Sequence, residues 1–419
     1  MATTAESVRA EVKAWVAENW NLELTLREWW TRLAQSGWGF PMWPVEWFGK
    51  GFDADLAAVV HEELVEAGVI GPPHGIGQMM GAPLIIQYGT EEQKQRWVPK
   101  LASGEEAWCQ FFSEPNAGSD LASVQTRAVR DGDEWVVNGQ KIWNSGTLHS
   151  DRGLLVARTD IDVPKHRGLS YFIIDVDQPA LDIRPIKQMN GEAEFNETFF
   201  TDARVPHENM VGAEGNGWAV AMATLGNERS SFAAGAGFSL GVPAGEKAGQ
   251  LDRKLSDVIT DARKNRRAHG AFPLGDPSAY IGLAREFERT DDPTIRQRLA
   301  KLYCMAETAR MTGLRAKAAA AAGKSPGPES SLGYVAGVLL ARASRDLGLD
   351  LIGAHGMLVG DDAPHGGAVA QMALSSVVHG IQGGAEQIQR NILGERVLAL
   401  PKEPQVDRDV PFKDLRVGT

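Results

Sequence analysis

The 419-residue chain is 43% hydrophobic and 23% charged, a composition typical of a globular protein rather than a disordered one. Its formal net charge of -11 argues against nucleic acid as the main partner, because binding to phosphates requires a basic surface. No apolar run approaches the roughly 20 residues of a bilayer-spanning helix, and the first residues lack the pattern of a secretion signal. We therefore expect a cytoplasmic protein with neither a nucleic-acid nor a membrane partner.

The chain contains two cysteines, Cys109 and Cys304. Two thiols predict no disulfide framework and agree with a reducing compartment. Because neither belongs to a cluster of Cys and His residues, we expect no zinc or other metal site.

The first hundred or so residues predict helices. Apolar residues recur at three- and four-residue spacing in AESVRAEVKAWVAENW, LREWWTRLAQSG and DADLAAVVHEELVEAG. Thr90 and Gln93 have the spacing of a capping box, which predicts that a helix begins at TEEQKQRWVPKLASG. These elements predict an N-terminal helical domain.

The pattern changes at about Cys109, where segments rich in β-branched and aromatic residues begin. Turn signals separate them, such as Asp131-Gly132-Asp133 and Asn138-Gly139. Several short strands within about a hundred residues favour a small antiparallel barrel or sandwich. Strands do not alternate with helices here, which disfavours a Rossmann sheet.

From about Gly215 the helical pattern returns and continues to the end of the sequence. The prediction is therefore a mainly α protein with a central β domain. We expect three domains: an N-terminal helical domain at 1–108, a middle β domain at 109–214 and a C-terminal helical domain at 215–419.

Two motifs in the middle region carry the strongest functional signal. CQFFSEPNAGSD, from Cys109 to Asp120, combines a strand, a Pro turn and small residues whose backbone amides can surround an anionic or polar group. KIWNS, from Lys141 to Ser145, places a large flat ring two residues from a hydroxyl donor. A flat heteroaromatic ligand needs both a stacking surface and directed hydrogen bonds. On the residues alone, a strand edge followed by a turn remains the simpler interpretation.

These motifs, together with TEEQKQRWVPKLASGE and the C-terminal GGAEQIQRNILGERVLALP, resemble the acyl-CoA dehydrogenase family over essentially the whole chain. The resemblance implies an N-terminal helical domain, a middle β-barrel and a C-terminal four-helix bundle. It also implies an FAD cofactor, an acyl-CoA substrate that loses two hydrogens to become a trans-2-enoyl-CoA, and a role in fatty acid β-oxidation. An electron-transfer flavoprotein-type acceptor would reoxidise the cofactor.

The resemblance also implies roles for individual residues. Phe112 and Ser113 would line the flavin, with the Ser113 hydroxyl on its pyrimidine edge, while Trp143 would pack against it and Ser145 would donate toward flavin N5. The substrate-binding residues would be Ser119 at the CoA portion, Arg229 near the thioester, and Gly383. Further cofactor-binding residues would be Gly118, Ser119, Asn144, Gly384 and Gln387.

The catalytic base is expected at Glu228. Removal of the α-proton of a thioester needs a carboxylate, and many members of the family place a glutamate at the position matching Gly383. Others resemble isovaleryl- and long-chain acyl-CoA dehydrogenases and place it on an earlier helix, where this chain has Glu228. In the family's fold the two positions face the same carbon. The Gly383 backbone N–H, near a predicted helix start, would donate to the thioester oxygen. The alternative for Glu228 is a solvated ion pair between a glutamate and an arginine on a helix. The alternative for Gly383 is a simple tight turn before a helix.

At three places where the family contacts FAD, this sequence differs from the family's pattern. The stretch Ala284–Arg289 replaces the family's Arg-x-x-Phe-Gly, Asp350 replaces a glutamine, and Ala385 replaces a threonine. The first two belong to residues that one subunit donates to its neighbour's cofactor. Either a second gene product completes a hetero-oligomer, or residues such as Arg285 or Arg296 substitute in a homo-oligomer. We expect a homo-oligomer, a dimer or tetramer, because most oligomers are homomeric.

Two other functions remain open. One is a flavin oxidase or monooxygenase of the same fold, and the other is a flavin-poor subunit that only completes a partner's site. The sequence does not identify the acyl group. Gly235, Ala236 and Gly237 follow Glu228 by two helical turns and suggest a pocket open to a bulky acyl chain.

Overall fold

The computed structural model describes residues 3–234, 242–268, 272–321 and 327–415. These residues form two compact units. The first unit contains Met1–Gln188, Glu192–Lys264 and Val406–Thr419, and the second contains Met189–Gly191 and Asn265–Gln405. The chain thus returns to the first unit at its C-terminal end.

The first unit begins with five helices, and threonine side chains cap three of them. Thr4, Thr25 and Thr90 each accept a hydrogen bond from the third residue of the helix in a capping box, so the predicted Thr90–Gln93 box is confirmed. Trp29 and Trp30 lie fully buried in the core. The helices are α1 (Ala5–Asn19), α2 (Leu26–Ser36), α3 (Ala54–Glu66), α4 (Ala82–Tyr88) and α5 (Glu91–Ala102).

A seven-stranded sheet follows, in the order β1-β4-β2-β3-β7-β6, with β5 paired to β4. Its pairings are antiparallel except where β4 meets β1 and β2. The strands are β1 (Trp108–Phe111), β2 (Arg127–Asp131), β3 (Glu134–Ser145), β4 (Arg152–Arg158), β5 (Leu169–Asp175), β6 (Leu181–Pro185) and β7 (Phe195–Pro206).

One predicted turn is confirmed and the other is wrong. Asp131 pairs with Glu134 across the hairpin that joins β2 to β3, as the Asp-Gly-Asp signal predicted. Asn138-Gly139 lies inside β3, at a β-bulge against β7. Gly139 is required there, because an added Cβ would come within 2.5 Å of Thr126 Oγ1.

The remaining helices divide between the two units. The first unit contains α6 (Gly217–Ala234) and most of α7 (Leu255–Ala268). In the second unit, Tyr280, Leu302 and Leu347 belong to a buried core. Its helices are α8 (Pro277–Glu286), α9 (Pro293–Ala321), α10 (Ser331–Ile352), α11 (Ala368–Ser375) and α12 (Glu386–Ile392).

The predicted fold class is confirmed: along the chain, helical elements precede and follow a middle β domain, which is a curled half-barrel. The domain boundaries at 1–108, 109–214 and 215–419 stay a prediction. Within the described ranges, no helix is long and apolar enough to cross a bilayer. Cys109 is buried and Cys304 is exposed, and both thiols are free.

Candidate active site

The two predicted motifs lie side by side in the first unit. The Ile142 backbone N–H donates to the Ser113 carbonyl at 2.9 Å. Lys141 Nζ donates to the Phe112 carbonyl, also at 2.9 Å. Residues 112–114, which follow β1, are therefore fixed against the end of β3.

A buried ion pair holds this junction together. Lys141 is fully buried, and its Nζ lies 2.8 Å from Glu114 Oε1. The same carboxylate accepts hydrogen bonds from the backbone N–H groups of Gln125 at 2.6 Å and Thr126 at 2.8 Å. Burial alone would raise the pKa of Glu114, but Lys141 and these amides hold it below its usual value. The carboxylate therefore stays charged and joins three chain segments.

Trp143 occupies a strained position at the end of β3. Ile142 pairs with Glu197 and Asn144 with Asn196, so Trp143 is the extra residue of a β-bulge. Its φ of +63° is left-handed, which is rare for a bulky residue, and its side chain is 56% exposed. The bulge turns Asn144 inward and leaves the indole ring exposed, as a ligand-stacking surface requires.

Polar groups on the two segments that meet at Ile142 have unused hydrogen-bonding capacity. The hydroxyls of half-buried Ser113 and Ser145 make no hydrogen bond to any described residue. Asn144 is 1% exposed and donates to the Gln110 carbonyl at 3.0 Å, but its Oδ1 lacks a partner among the described residues. Hydroxyl donors on the segments that carry an exposed flat ring fit the hydrogen-bonding edge of a flavin.

The segment after Glu114 forms a tight turn that presents small residues to solvent. Glu114 and Ala117 exchange two backbone hydrogen bonds, at 3.0 and 3.1 Å. Gly118 and Ser119 follow it and are exposed, and a Cβ on Gly118 would meet nothing within 4 Å. The predicted cofactor and CoA contacts at Gly118 and Ser119, directly after this turn, are thus accessible.

Glu228 lies on a face of α6 that packs against the sheet. Gly217 sets this packing, because an added Cβ would come within 2.5 Å of the Ser170 backbone. Thr224, one helical turn before Glu228, is fully buried, and its Oγ1 lies 3.1 Å from the hydroxyl of Tyr171 on β5. The Tyr171 ring in turn contacts Phe112 edge-to-face at a centroid distance of 5.9 Å.

These contacts connect Thr224, one turn before the predicted base on α6, to the predicted flavin wall inside one unit. Glu228 is only 9% exposed, so it is not the solvated surface residue of the simpler interpretation. The α6 backbone includes Arg229, but its side chain lies outside the described residues, as do Gly235, Ala236 and Gly237. The predicted open pocket next to those small residues therefore remains a prediction.

In the second unit, the conformation of Gly383 and Gly384 gives a backbone reason for both glycines. Their φ angles are +67° and +98°, which strongly favour glycine. The turn is held from α12 by Gln389 Nε2, 3.3 Å from the Gly383 carbonyl. The next helix begins at Glu386, three residues after Gly383, and Gln387 is exposed on it.

The residues that depart from the family pattern also lie in the second unit. Arg285 is exposed on α8. The Asp350 carboxylate forms an ion pair with Arg298, and its carbonyl accepts from Arg289 at 3.2 Å. The carboxylate that replaces the family's glutamine is thus already paired within its own unit. The side chain of Arg296 bonds the Thr290 carbonyl at 3.4 Å.

Comparison with known proteins identifies the class of enzyme. Family models for the N-terminal, middle and C-terminal domains of acyl-CoA dehydrogenase match residues 1–105, 109–203 and 277–398. The chain belongs to the acyl-CoA dehydrogenase family, and it is an enzyme of that class. The family predicted from the sequence is therefore confirmed, whereas the role of Glu228 stays a prediction.

Its relatives include proteins that match almost end to end. The acyl-CoA dehydrogenase IpdE1 of Mycobacterium tuberculosis is 36% identical, over 95% of this chain and 98% of that protein. The solved Tcur3481-Tcur3483 steroid ACAD is 27% identical with a TM-score of 0.68, over 95% of this chain and 98% of that chain. The ChsE4-ChsE5 complex from M. tuberculosis is 27% identical with a TM-score of 0.67, over 96% and 100%.

Sequence reasoning missed the residues that hold the site in place. Glu114 and Lys141 lie within the two recognised motifs, yet their pairing joins positions 27 residues apart. Glu114 comes two residues after Phe112 at the end of a strand pattern, and Lys141 comes directly before Ile142 and Trp143. A charge beside such strand residues is a usable signal, because a buried charge needs a partner. Tyr171 and Thr224 carry no such signal, since buried hydroxyl groups are common in packed cores.

We expect Lys141→Met to destabilise the first unit by about 3–5 kcal/mol, because the substitution leaves the Glu114 carboxylate buried without its cation. The double variant Lys141→Met with Glu114→Gln should recover much of this loss, since glutamine can still accept from the Gln125 or Thr126 amide. Denaturant unfolding at neutral pH would measure both.

Arg204→Ala is the matched control, because it removes an exposed ion pair with Asp131 from the same sheet. Its unfolding midpoint should stay close to that of the parent protein. Equal effects of Lys141→Met and Arg204→Ala would contradict the importance assigned to the buried pair.

Proposed function

We propose that this chain catalyses the FAD-dependent α,β-dehydrogenation of an acyl-CoA thioester to the trans-2-enoyl-CoA, with Glu228 as the base that takes the α-proton. The observation that carries the proposal is the contact of Thr224, one helical turn before Glu228, with Tyr171, and of Tyr171 with Phe112. Bound FAD supplies the acceptor for the hydride that leaves Cβ. A base close to the flavin wall is what simultaneous loss of a proton and a hydride requires.

The burial of Glu228 supports its role as a base. A carboxylate at the surface is solvated by water, which competes for its lone pairs, whereas Glu228 is 9% exposed. Water exclusion strengthens the interaction of a carboxylate with a proton brought beside it. The α6 face that carries Glu228 is fixed by the buried Thr224–Tyr171 hydrogen bond of 3.1 Å. Its position is therefore set by packing.

The flavin would be held by residues of the first unit. The hydroxyls of Ser113 and Ser145 are available to its polar edge, and the exposed Trp143 ring is available to pack against it. The Phe112 ring, which is 4% exposed, would form part of the apolar wall of this pocket. Ser119, in the exposed turn, would contact the CoA portion of the substrate. Electrons would then pass to an electron-transfer flavoprotein-type acceptor.

For the acyl group, steroid-derived thioesters are our first candidates. The 27% identical Tcur3481-Tcur3483 protein is a steroid ACAD and matches this chain over 95% of its length. The small residues Gly235, Ala236 and Gly237 follow Glu228 in the sequence, which agrees with a wide acyl pocket.

Glu228→Gln should lower the rate of dehydrogenation by roughly 10²- to 10⁴-fold, because the amide cannot accept the α-proton. Flavin content should be unchanged, since glutamine keeps the size and hydrogen-bonding shape of the residue. Anaerobic stopped-flow mixing with acyl-CoA, followed by the loss of flavin absorbance, measures the rate directly.

Glu214→Gln is the matched control, an identical chemical change at an exposed residue that precedes α6. It should reduce flavin at the parental rate. Near-parental reduction by Glu228→Gln would show that another group takes the proton.

The solved complexes that this chain resembles favour a second candidate function, in which it is a subunit that shares its cofactor site with a different chain. The Tcur3481-Tcur3483 and ChsE4-ChsE5 structures are each named for two proteins.

We nevertheless expect the chain purified alone to form a homo-oligomer with about one flavin per chain, because most oligomers are homomeric. The visible spectrum and the particle mass measure this. A folded but colourless protein would instead favour the partner arrangement.

A further inference from the structure

The C-terminal end of the described chain, residues 406–415, packs on the loop between β4 and β5. The Phe412 N–H donates to the Val163 carbonyl at 2.9 Å, and the Lys413 N–H donates to the Ile161 carbonyl at 3.0 Å. A single antiparallel bridge also joins Pro411 to Pro164. We call residues 406–415 the C-terminal strap.

The strap covers a buried cation at the end of β4. Arg158 is 1% exposed, and its guanidinium donates to the Val124 carbonyl at 3.0 Å and the Ala122 carbonyl at 2.6 Å. A third bond reaches the Lys165 carbonyl at 3.0 Å. Glu114, Asp120 and Asp160 act on this cation through their charges, but among the described residues no carboxylate forms an ion pair with it. The Phe412 ring, with its centroid 3.4 Å from the guanidinium carbon, covers the cation instead.

A second contact of the strap reaches the same region through Lys165. Asp407 lies 2.9 Å from Lys165 Nζ, which also lies 3.1 Å from Asp120. Asp120 in turn accepts from the Ser123 hydroxyl at 2.5 Å. The strap therefore contacts both residues, Arg158 and Lys165, that hold residues 120–124.

Residues 120–124 directly follow Ser119. Arg158 has five donors and uses three of them on backbone carbonyls, which gives it a fixed orientation only while water is excluded. Removal of the Phe412 ring would admit water to the guanidinium, which would then compete with the carbonyls of Ala122 and Val124. The segment that carries Ser119 would then lose its fixed support.

We propose that the C-terminal strap positions segment 118–120, directly after the Glu114–Ala117 turn, for binding the CoA portion of the substrate. Phe412 and Asp407 would be positioning residues that act through Arg158 and Lys165. The proposal rests on the proposed function, which brings acyl-CoA to this segment. The strap residues themselves contact neither substrate nor cofactor in this account.

Phe412→Ala should weaken binding of CoA on the order of tenfold, the size of a desolvated cation–π contact expressed as affinity. Calorimetry with CoA measures the affinity, and steady-state kinetics should show the same rise in KM for acyl-CoA with kcat and flavin content unchanged. The KM for an acyl-N-acetylcysteamine thioester, which lacks the nucleotide, should not change. Hydrogen exchange of the Ser123 and Val124 amides should become faster.

Lys413→Ala is the control, because it removes only an exposed ion pair with Asp162 from the same strap. Its CoA affinity and amide exchange should match the parent. If Phe412→Ala does not fold, Phe412→Leu and Asp407→Asn provide the same comparison, and each should weaken CoA binding to a smaller extent.

An unchanged CoA affinity in the Phe412 and Asp407 variants would overturn the proposal. An equal rise in KM for both thioesters, or a loss of flavin, would also overturn it, because either result would indicate general destabilisation. A parent protein that binds CoA but oxidises no acyl-CoA would refute the proposed function, while the calorimetric comparison would still decide the role of the strap. A parent protein that binds no CoA would refute both.

Discussion

The ion pair between Glu114 and Lys141 is the constraint on which the candidate site depends. Its two charges lie 2.8 Å apart with almost no exposure, where neither could remain without the other. Through it, the chain after β1, the amides of Gln125 and Thr126, and the end of β3 share one fixed arrangement. Every residue predicted to meet the flavin from the first unit, from Phe112 to Ser145, lies on a segment that this pair holds.

The catalytic proposal extends this framework by one helix. Tyr171 contacts Phe112 with its ring and Thr224 with its hydroxyl, so α6 is oriented relative to the wall that the ion pair fixes. Gly217 allows the start of α6 to approach β5 closely. Glu228 then lies one turn beyond a buried anchor. In our proposal the C-terminal strap supports the residues that follow Ser119, through Arg158 and Lys165.

Much of the fold could be predicted from the sequence because its signals are local. Thr90 and Gln93 mark a helix start within four residues, and the change from helical spacing to β-branched strands marks the middle domain. The bulge at Trp143 could not be predicted, since it depends on the register between β3 and β7, whose pairing spans about fifty residues. Asn138-Gly139 has the local signature of a turn, yet pairing with β7 overrides it. The contacts of Phe412 with Arg158 likewise depend on a chain return that no local pattern encodes.

The central claim is that the Phe112–Ser145 framework and Glu228 together oxidise an acyl-CoA. The most direct test is to titrate the purified, flavin-containing protein with a panel of acyl-CoA thioesters, from short straight chains to steroid-derived ones, under anaerobic conditions. The account predicts that at least one thioester bleaches the flavin band in stoichiometric amounts and yields the enoyl-CoA, whereas CoA alone does not. A flavin that no thioester reduces, although dithionite reduces it, would contradict the account.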